Sequence, residues 1–154
     1  RWLYNQEEDL PPVIELNLAN QKPRILQIGS DITIVGSSHA SLLSREAGNI
    51  LHSEKISAEV IDVRVLNPFF VEDIITSVKK TRSMLVVDSG TFSGGFSGEI
   101  ISKVVERLPV GCLKNPPMRI ALPDAPAPTS RFLEKAYYLS TNDVVSSAKR
   151  VLSI

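Results

Sequence analysis

The sequence has little cysteine, no long apolar run and no excess of either charge. Its single cysteine, Cys112, excludes an internal disulfide and a cysteine cluster for zinc or an iron–sulfur centre. The 17 basic and 17 acidic residues cancel, so no basic excess indicates nucleic acid or an anionic membrane as partner. No apolar stretch approaches the roughly 20 residues that span a bilayer. These absences favour a globular protein in a reducing compartment, by default the cytoplasm.

What is present suits one domain with a core of its own. The 154 residues are 43% hydrophobic and 22% charged, which is typical of a folded globular chain. The chain opens at Arg1 rather than Met, and we expect it to be a piece of a longer protein. Pro11-Pro12 disfavours helix and sheet, so residues 1–23 are predicted to be an interdomain linker. The ordered domain is predicted over residues 24–154.

The apolar pattern alternates between strands and helices. Strands are predicted over residues 24–28, 32–35, 58–65, 84–87 and 118–122. Helical stripes are predicted near residues 43–51, 71–78, 101–108 and 144–152, the second beginning at Asn67-Pro68 and the third stopped by Pro109.

This alternation predicts an α/β fold. The turn chemistry of Gly29-Ser30-Asp31 predicts that the first two strands form an antiparallel pair. The other strands are apolar on both faces, which is typical of a parallel sheet covered by helices. We therefore expect a three-layer α/β/α domain with a five-stranded, mostly parallel sheet whose first strand is antiparallel.

Ligands of such sheets collect at the carboxyl ends of the strands, which directs attention to residues 36–39, 88–98 and 123–129. His39 follows a strand and begins a helix, so it could bind phosphate or move protons at an active site. It could equally be a surface histidine, because no Asp or Cys partner stands at a recognisable spacing. Ser37 and Ser38 do not fit a nucleophile elbow, since Ala40 stands where its last glycine should be, and we predict capping hydroxyls.

The run from Ser93 to Glu99 contains three glycines and leads into a helix. Its free backbone N–H groups could hold a phosphate, but it is neither a Walker A loop nor a clean G-x-G-x-x-G motif. A tight turn that lets a helix end pack on another subunit is the interpretation we favour. The contact surface is then predicted to comprise Gly94, Gly95, Gly98, Glu99, Pro126 and Pro128. Paired catalytic carboxylates, a metal constellation and a catalytic triad are all missing from the sequence.

Four segments carry a resemblance to a known family. The runs GSDITIVGSS, AEVIDVRVLNP, SVKKTRSMLVVDSGTFSGGFSGEI and MRIALPDAPAPTSRFLE, in this order, resemble the C-terminal domain of the transketolase family. Within it the chain is most similar to the beta subunits of thiamine-diphosphate-dependent 2-oxoacid dehydrogenases. The chain departs from the usual pattern at Phe69-Phe70 and at Ser89, where acidic residues are common.

The resemblance implies a role in assembly rather than catalysis by this chain alone. It implies that thiamine diphosphate and magnesium lie between two other domains of the parent enzyme, and that this chain binds no cofactor or metal itself. It implies as partners the N-terminal domain of the same subunit, an alpha subunit and an acyltransferase core, with a dimer formed through this domain. It also implies a cytoplasmic location, or the mitochondrial matrix in a eukaryote.

Two alternatives stay open at this point. The chain could be the C-terminal domain of a transketolase or of a 1-deoxyxylulose-5-phosphate synthase, which carry both cofactor-binding domains in one chain. It could also be a non-catalytic interaction module whose contact surface is the Gly94–Glu99 turn and the proline-rich segment.

Overall fold

The computed structural model describes residues 17–154, and the earlier part of the predicted linker lies outside the described residues. After a single 3-10 turn (Leu18–Asn20), five strands and five helices follow. The strands are β1 (Arg24–Gln27), β2 (Ile32–Gly36), β3 (Ala58–Asp62), β4 (Met84–Thr91) and β5 (Met118–Leu122). The helices are α1 (His39–Ser53), α2 (Glu72–Thr81), α3 (Phe96–Val105), α4 (Arg131–Tyr137) and α5 (Thr141–Leu152).

The five strands form one mixed sheet in the order β1-β3-β2-β4-β5. β1 runs antiparallel to β3, and all other neighbouring strands are parallel. At the centre, Ile34 of β2 lies opposite Val60 of β3 and Leu85 of β4. The predicted five-stranded, mostly parallel sheet with an antiparallel first strand is therefore confirmed.

The predicted β1–β2 hairpin is wrong, because β1 pairs with β3 and not with β2. The connection crosses the start of β3, where the N–H groups of Ser30 and Asp31 both donate to the Ser57 carbonyl. A Cβ on Gly29 would lie 2.1 Å from the backbone carbon of Ala58. Glycine therefore permits the chain to pass directly over β3, and the short loop carries β1 to the far side of that strand.

Two apolar cores cover the two faces of the sheet and make three layers. One core joins α1 and α5 to one face of the sheet, with Ala47, Leu51 and Ala148 among its members. The other joins α2 and α3 to the opposite face, with Ile74, Val78 and Val104 among its members. Since β2 and β4 contribute residues to both cores, they are apolar on both faces, as the sequence pattern predicts.

The helix boundaries differ from prediction at several places. α2 begins at Glu72, so Asn67-Pro68 lies in the loop before it, and the β3 strand ends at Asp62 rather than residue 65. α3 ends at Val105, although the predicted stripe extends to residue 108. Val105 is 43% exposed, since the apolar side chains on the buried face of this helix are those of Ile100 and Val104. α4 was not predicted, since none of its residues is buried and it therefore has no apolar stripe.

Candidate functional site

The carboxyl ends of β2 and β4 form the crevice at which ligands of such sheets collect. The two strands are neighbours, but the chain leaves β2 for α1 on one face and leaves β4 for α3 on the other. This divergence opens the sheet edge between the two connections. Ser37 and Ser38 connect β2 to His39, the first residue of α1, and residues 92–95, which we define as the glycine turn, connect β4 to α3.

The entry to α1 is a tight and strained turn. Ser38 has φ 53° and ψ −126°, a backbone conformation that residues with a side chain rarely adopt. A Cβ on Gly36 would lie 2.9 Å from the backbone carbon of Ala40, so the turn folds directly onto the first residues of the helix. Ser38 occupies the N-cap position without a side-chain capping bond. The predicted role of Ser37 and Ser38 as capping hydroxyls is therefore wrong for Ser38, the residue at the cap.

His39 is the first residue of α1 and lies half-buried at the carboxyl end of β2. Partial burial lowers the pKa of its imidazole, and the charge of Glu46 opposes this effect. The ring therefore favours its neutral form at neutral pH, in which one nitrogen accepts and the other donates a hydrogen bond. Its position agrees with the sheet edge expected from the sequence, while its contact with a substrate stays a prediction.

Asp62 ties the end of β3 to α1 at the same sheet edge. The Ser41 hydroxyl donates to Asp62 Oδ1 over 2.7 Å, and the Arg64 N–H donates to the same oxygen over 3.3 Å. The Arg64 guanidinium in turn donates to the carbonyl of Lys22 over 2.6 Å. The three contacts fix the ends of β1 and β3 beside the start of α1.

Asp88 is a buried carboxylate that holds the glycine turn from the inside. It is 9% exposed, and its Oδ1 accepts the N–H of Gly90 over 2.8 Å. Its Oδ2 accepts the N–H of Ser97, in the first turn of α3, over 2.7 Å. The Asp88 carboxylate thus already accepts the Ser97 N–H, a donor at the helix N-terminus that a bound phosphate would need. This geometry favours the contact-surface interpretation of the turn over the phosphate-binding one.

Gly95 is required by a contact within the chain, whereas Gly98 lies against the movable end of a side chain. A Cβ on Gly95 would lie 2.3 Å from the Thr91 carbonyl oxygen, and one on Gly98 would lie 2.8 Å from Arg119 Nη1. Gly94 alone of the three has open space around its Cβ position, and it adopts a left-handed φ of +71°. Close packing against another subunit is therefore not needed to explain Gly95.

The glycine turn is joined to the proline loop, which we define as residues 123–129. The N–H and the hydroxyl of Ser93 donate to the two carboxylate oxygens of Asp124 over 2.8 and 2.6 Å. The Phe92 N–H donates to the carbonyl of Leu122 over 2.8 Å. The structure thereby brings together the two sequence segments that were predicted to form the contact surface.

The remaining predicted surface residues lie around this junction. Glu99 is exposed and forms an ion pair with Lys103 over 3.1 Å. Pro126 is exposed, and Pro128 is half-buried. Tyr137 of α4 donates its hydroxyl to the Ala125 carbonyl over 2.8 Å, which attaches α4 to the proline loop. No local sequence pattern signals the Ser93–Asp124 and Tyr137–Ala125 contacts, because the paired residues lie 31 and 12 positions apart.

The described residues offer no side-chain cluster for the magnesium ion that accompanies thiamine diphosphate. Among residues 17–154, no three His, Cys, Asp or Glu side chains converge so that they could hold a metal ion. The full sequence contains no Gly-Asp-Gly run for a metal–diphosphate pair. We assign no reaction step through these groups to this chain, and its expected lack of a bound cofactor stays a prediction. No helix within residues 17–154 is long and apolar enough to cross a membrane.

The doubly wound sheet and its carboxyl-edge crevice define an α/β domain of the kind found in transketolases. Residues 21–144 match the family model described as "Transketolase, C-terminal domain", and the chain belongs to this family. The resemblance stated from the sequence is therefore confirmed.

Relatives of this chain are beta subunits of 2-oxoacid dehydrogenases. The mitochondrial "Pyruvate dehydrogenase E1 component subunit beta" of Dictyostelium discoideum is 36% identical over 97% of this chain and 40% of the relative. The Rickettsia felis protein described as the same subunit is 35% identical over 97% of this chain and 45% of the relative. A mitochondrial "2-oxoisovalerate dehydrogenase subunit beta 2" of Arabidopsis thaliana is 31% identical over 97% and 41%. The chain spans less than half the length of these relatives.

A solved structure supports the fold. The "Split gene transketolase, inactive beta4 tetramer" superposes with a TM-score of 0.78 at 24% identity, over 96% of this chain and 46% of that one. At this identity the likeness concerns the fold alone.

Proposed function

We propose that this chain is the C-terminal assembly domain of the beta subunit of a thiamine-diphosphate-dependent 2-oxoacid dehydrogenase. The observation that carries the proposal is the similarity to such subunits over nearly the whole chain. The parent enzyme would decarboxylate a 2-oxoacid and transfer the acyl group to lipoamide, with the cofactor supplying the chemistry. Its compartment would be the cytoplasm, or the mitochondrial matrix in a eukaryote.

In this proposal the chain contributes contacts instead of reacting groups. The partners are the N-terminal domain of the same subunit, an alpha subunit, an acyltransferase core and a second copy of this domain. The contact surface consists of the glycine turn, the first turn of α3 and the proline loop, which adjoin one another. A preformed surface favours association because fewer residues must be ordered when partners meet.

Isothermal titration calorimetry of the chain with thiamine diphosphate and Mg²⁺ tests whether the cofactor is bound by other domains and not by this chain. We expect no measurable heat, because the described residues offer no metal cluster. Tight binding by this chain alone would overturn the proposal. Reading the coding sequence upstream of Arg1 separates the proposal from a single-chain transketolase, which carries both cofactor-binding domains in the same chain, whereas a dehydrogenase beta subunit does not.

His39 is proposed to face the active site of the assembled enzyme. It stands at the carboxyl end of β2, half-buried, with a pKa below its ordinary value. In the whole enzyme, His39→Ala should change turnover while thermal unfolding and subunit assembly stay as in the parent. Unchanged kinetics would remove His39 from the active site.

A further inference from the structure

Two stretches that are distant along the chain, residues 92–98 and 119–124, meet around the glycine turn. Ser93 uses two donors on the carboxylate of Asp124, so both of its oxygens are engaged at 2.6 and 2.8 Å. On β5, the guanidinium of Arg119 lies over the Phe92 ring, with 4.2 Å between its carbon and the ring centroid. The same guanidinium lies beside Gly98 in the first turn of α3. The glycine turn is thus held by the proline loop on one side and by β5 on the other.

We infer that Asp124 is a positioning residue that locks the glycine turn to the proline loop, so that the two segments move and bind as one surface. What this surface binds depends on the proposed assembly function. The link between the glycine turn and the proline loop, which we call the lock, depends only on contacts within this chain.

The chemistry of the pair explains why Asp124 suits this position. A carboxylate has two acceptor oxygens and no donor, and Ser93 presents two donors from a single residue. Hydrogen bonds from the Ser93 side chain and backbone, together with the nearby charge of Arg119, hold the pKa of Asp124 below its usual range. The carboxylate is therefore ionised at neutral pH, the form in which both oxygens accept.

An ordinary surface hydrogen bond is the competing interpretation. Exposed polar pairs often contribute little to stability, and both residues are exposed. The two interpretations differ in what happens away from the pair. A lock predicts that breaking the pair loosens the glycine turn and the proline loop together, whereas an isolated bond predicts a change confined to Ser93.

Amide hydrogen exchange of the full 154-residue chain, measured by NMR, distinguishes these interpretations. Asp124→Ala removes both acceptors of Ser93, whereas in Asp124→Asn the oxygen can accept the Ser93 N–H while the amide donates to the hydroxyl, so Asn is the conservative variant and Ala the one that breaks the pair. In Asp124→Ala we expect exchange to rise by about fivefold or more at the hydrogen-bonded amides of Phe92, Ser93 and Gly98 and also at that of Ala125. Asp31→Ala is the matched control, since Asp31 accepts the Ser57 N–H at the opposite end of the strands.

A second variant keeps the test decisive. Ser93→Asp places a carboxylate against Asp124 and should open the lock further. Ser93→Asp combined with Asp124→Asn should restore part of the protection, because the amide can donate to the new carboxylate. A rise confined to Ser93, or no rescue in the double variant, would overturn the lock. If both segments loosen together but association with a second copy is unchanged, the lock stands and the proposed binding role of the surface fails.

Discussion

At the scale of single residues, Glu59 is a buried carboxylate that joins three elements. It is 3% exposed, and it accepts hydrogen bonds from the Gly29 N–H over 3.2 Å and from the Lys80 ammonium. Burial raises the pKa of Glu59, but the bonds from Lys80, Ser77 and Gly29 and the charge of Lys80 outweigh it, so the pKa lies below its ordinary value. The carboxylate therefore ties the β1–β2 connection and α2 to β3.

Glu59→Gln is predicted to lower the free energy of unfolding at neutral pH by about 1–3 kcal/mol, because a charged and satisfied buried group is lost. With the folded-state pKa depressed, the stabilisation is present above the ordinary carboxyl pKa of about 4.3 and is lost as the pH falls through the folded-state value. Urea unfolding at a series of pH values should show a flatter acid limb in the variant.

The control for this prediction is Glu106→Gln, which changes an exposed carboxylate on the far end of α3. Its free energy of unfolding should stay within about 0.5 kcal/mol of the parent value. Equal effects of the two substitutions would show that Glu59 does not hold the three elements together.

Ser38 stores backbone strain next to His39. Ser38→Gly should raise the free energy of unfolding by about 1 kcal/mol, since relief of such strain is worth about 1–3 kcal/mol and the flexibility of glycine offsets part of it. Ser38→Ala keeps the Cβ and should give no gain. Thermal unfolding of both variants checks this, and equal midpoints would contradict a strained turn.

At the scale of elements, the sequence predicts those with a buried face and misses those without one. The stripe of α5 predicts its helix because Val144, Ala148 and Val151 are all buried. α4 has no buried residue, so its sequence has no periodic apolar signal. The pairing of β1 with β3 depends on Gly29 crossing above Ala58, a contact that no local pattern encodes.

Some parts of the candidate site can be predicted from the sequence and others cannot. The sheet edge that carries His39 and the glycine turn follows from the order of strands and helices. The roles of Asp88 and Asp124 do not, because each carboxylate meets backbone donors that only the folded chain brings near. The glycine pattern predicts a partner surface, whereas a larger residue at Gly95 is excluded by the backbone of the same chain.

The connection from β4 to α3 gives a prediction at this scale. Gly95→Ala should destabilise the chain by about 3 kcal/mol or more, because its methyl group would collide with a backbone oxygen, whereas Gly94→Ala should cost about 1 kcal/mol from its left-handed φ. Chemical denaturation of the two variants measures the difference. A larger cost at Gly94 than at Gly95 would show that the turn is held differently.

At the scale of the whole molecule, residues 17–154 form an α/β sheet with one apolar core on each face, and the predicted contact residues lie at one end of this sheet. Its family membership and its two filled cores make it a folded domain, and its candidate surface lies on loops that are tied to each other and to β5. The phosphate alternative for the glycine turn loses support because Asp88 already satisfies the Ser97 amide. What the domain does is therefore best sought in what it binds.

Light scattering after size-exclusion chromatography tests the central claim, that this domain associates through the glycine turn and the proline loop. Glu99→Arg and Pro126→Arg change exposed side chains of the surface, whereas Gly98→Arg would place a second cation beside the Arg119 guanidinium and is less suitable. Lys79→Glu, an exposed change on α2, is the control. We predict a dimer for the unsubstituted 154-residue chain and for the control. The two surface variants should be monomers with unchanged thermal unfolding. An unsubstituted chain that is monomeric at every concentration, or a dimer that persists in both surface variants, would contradict the account.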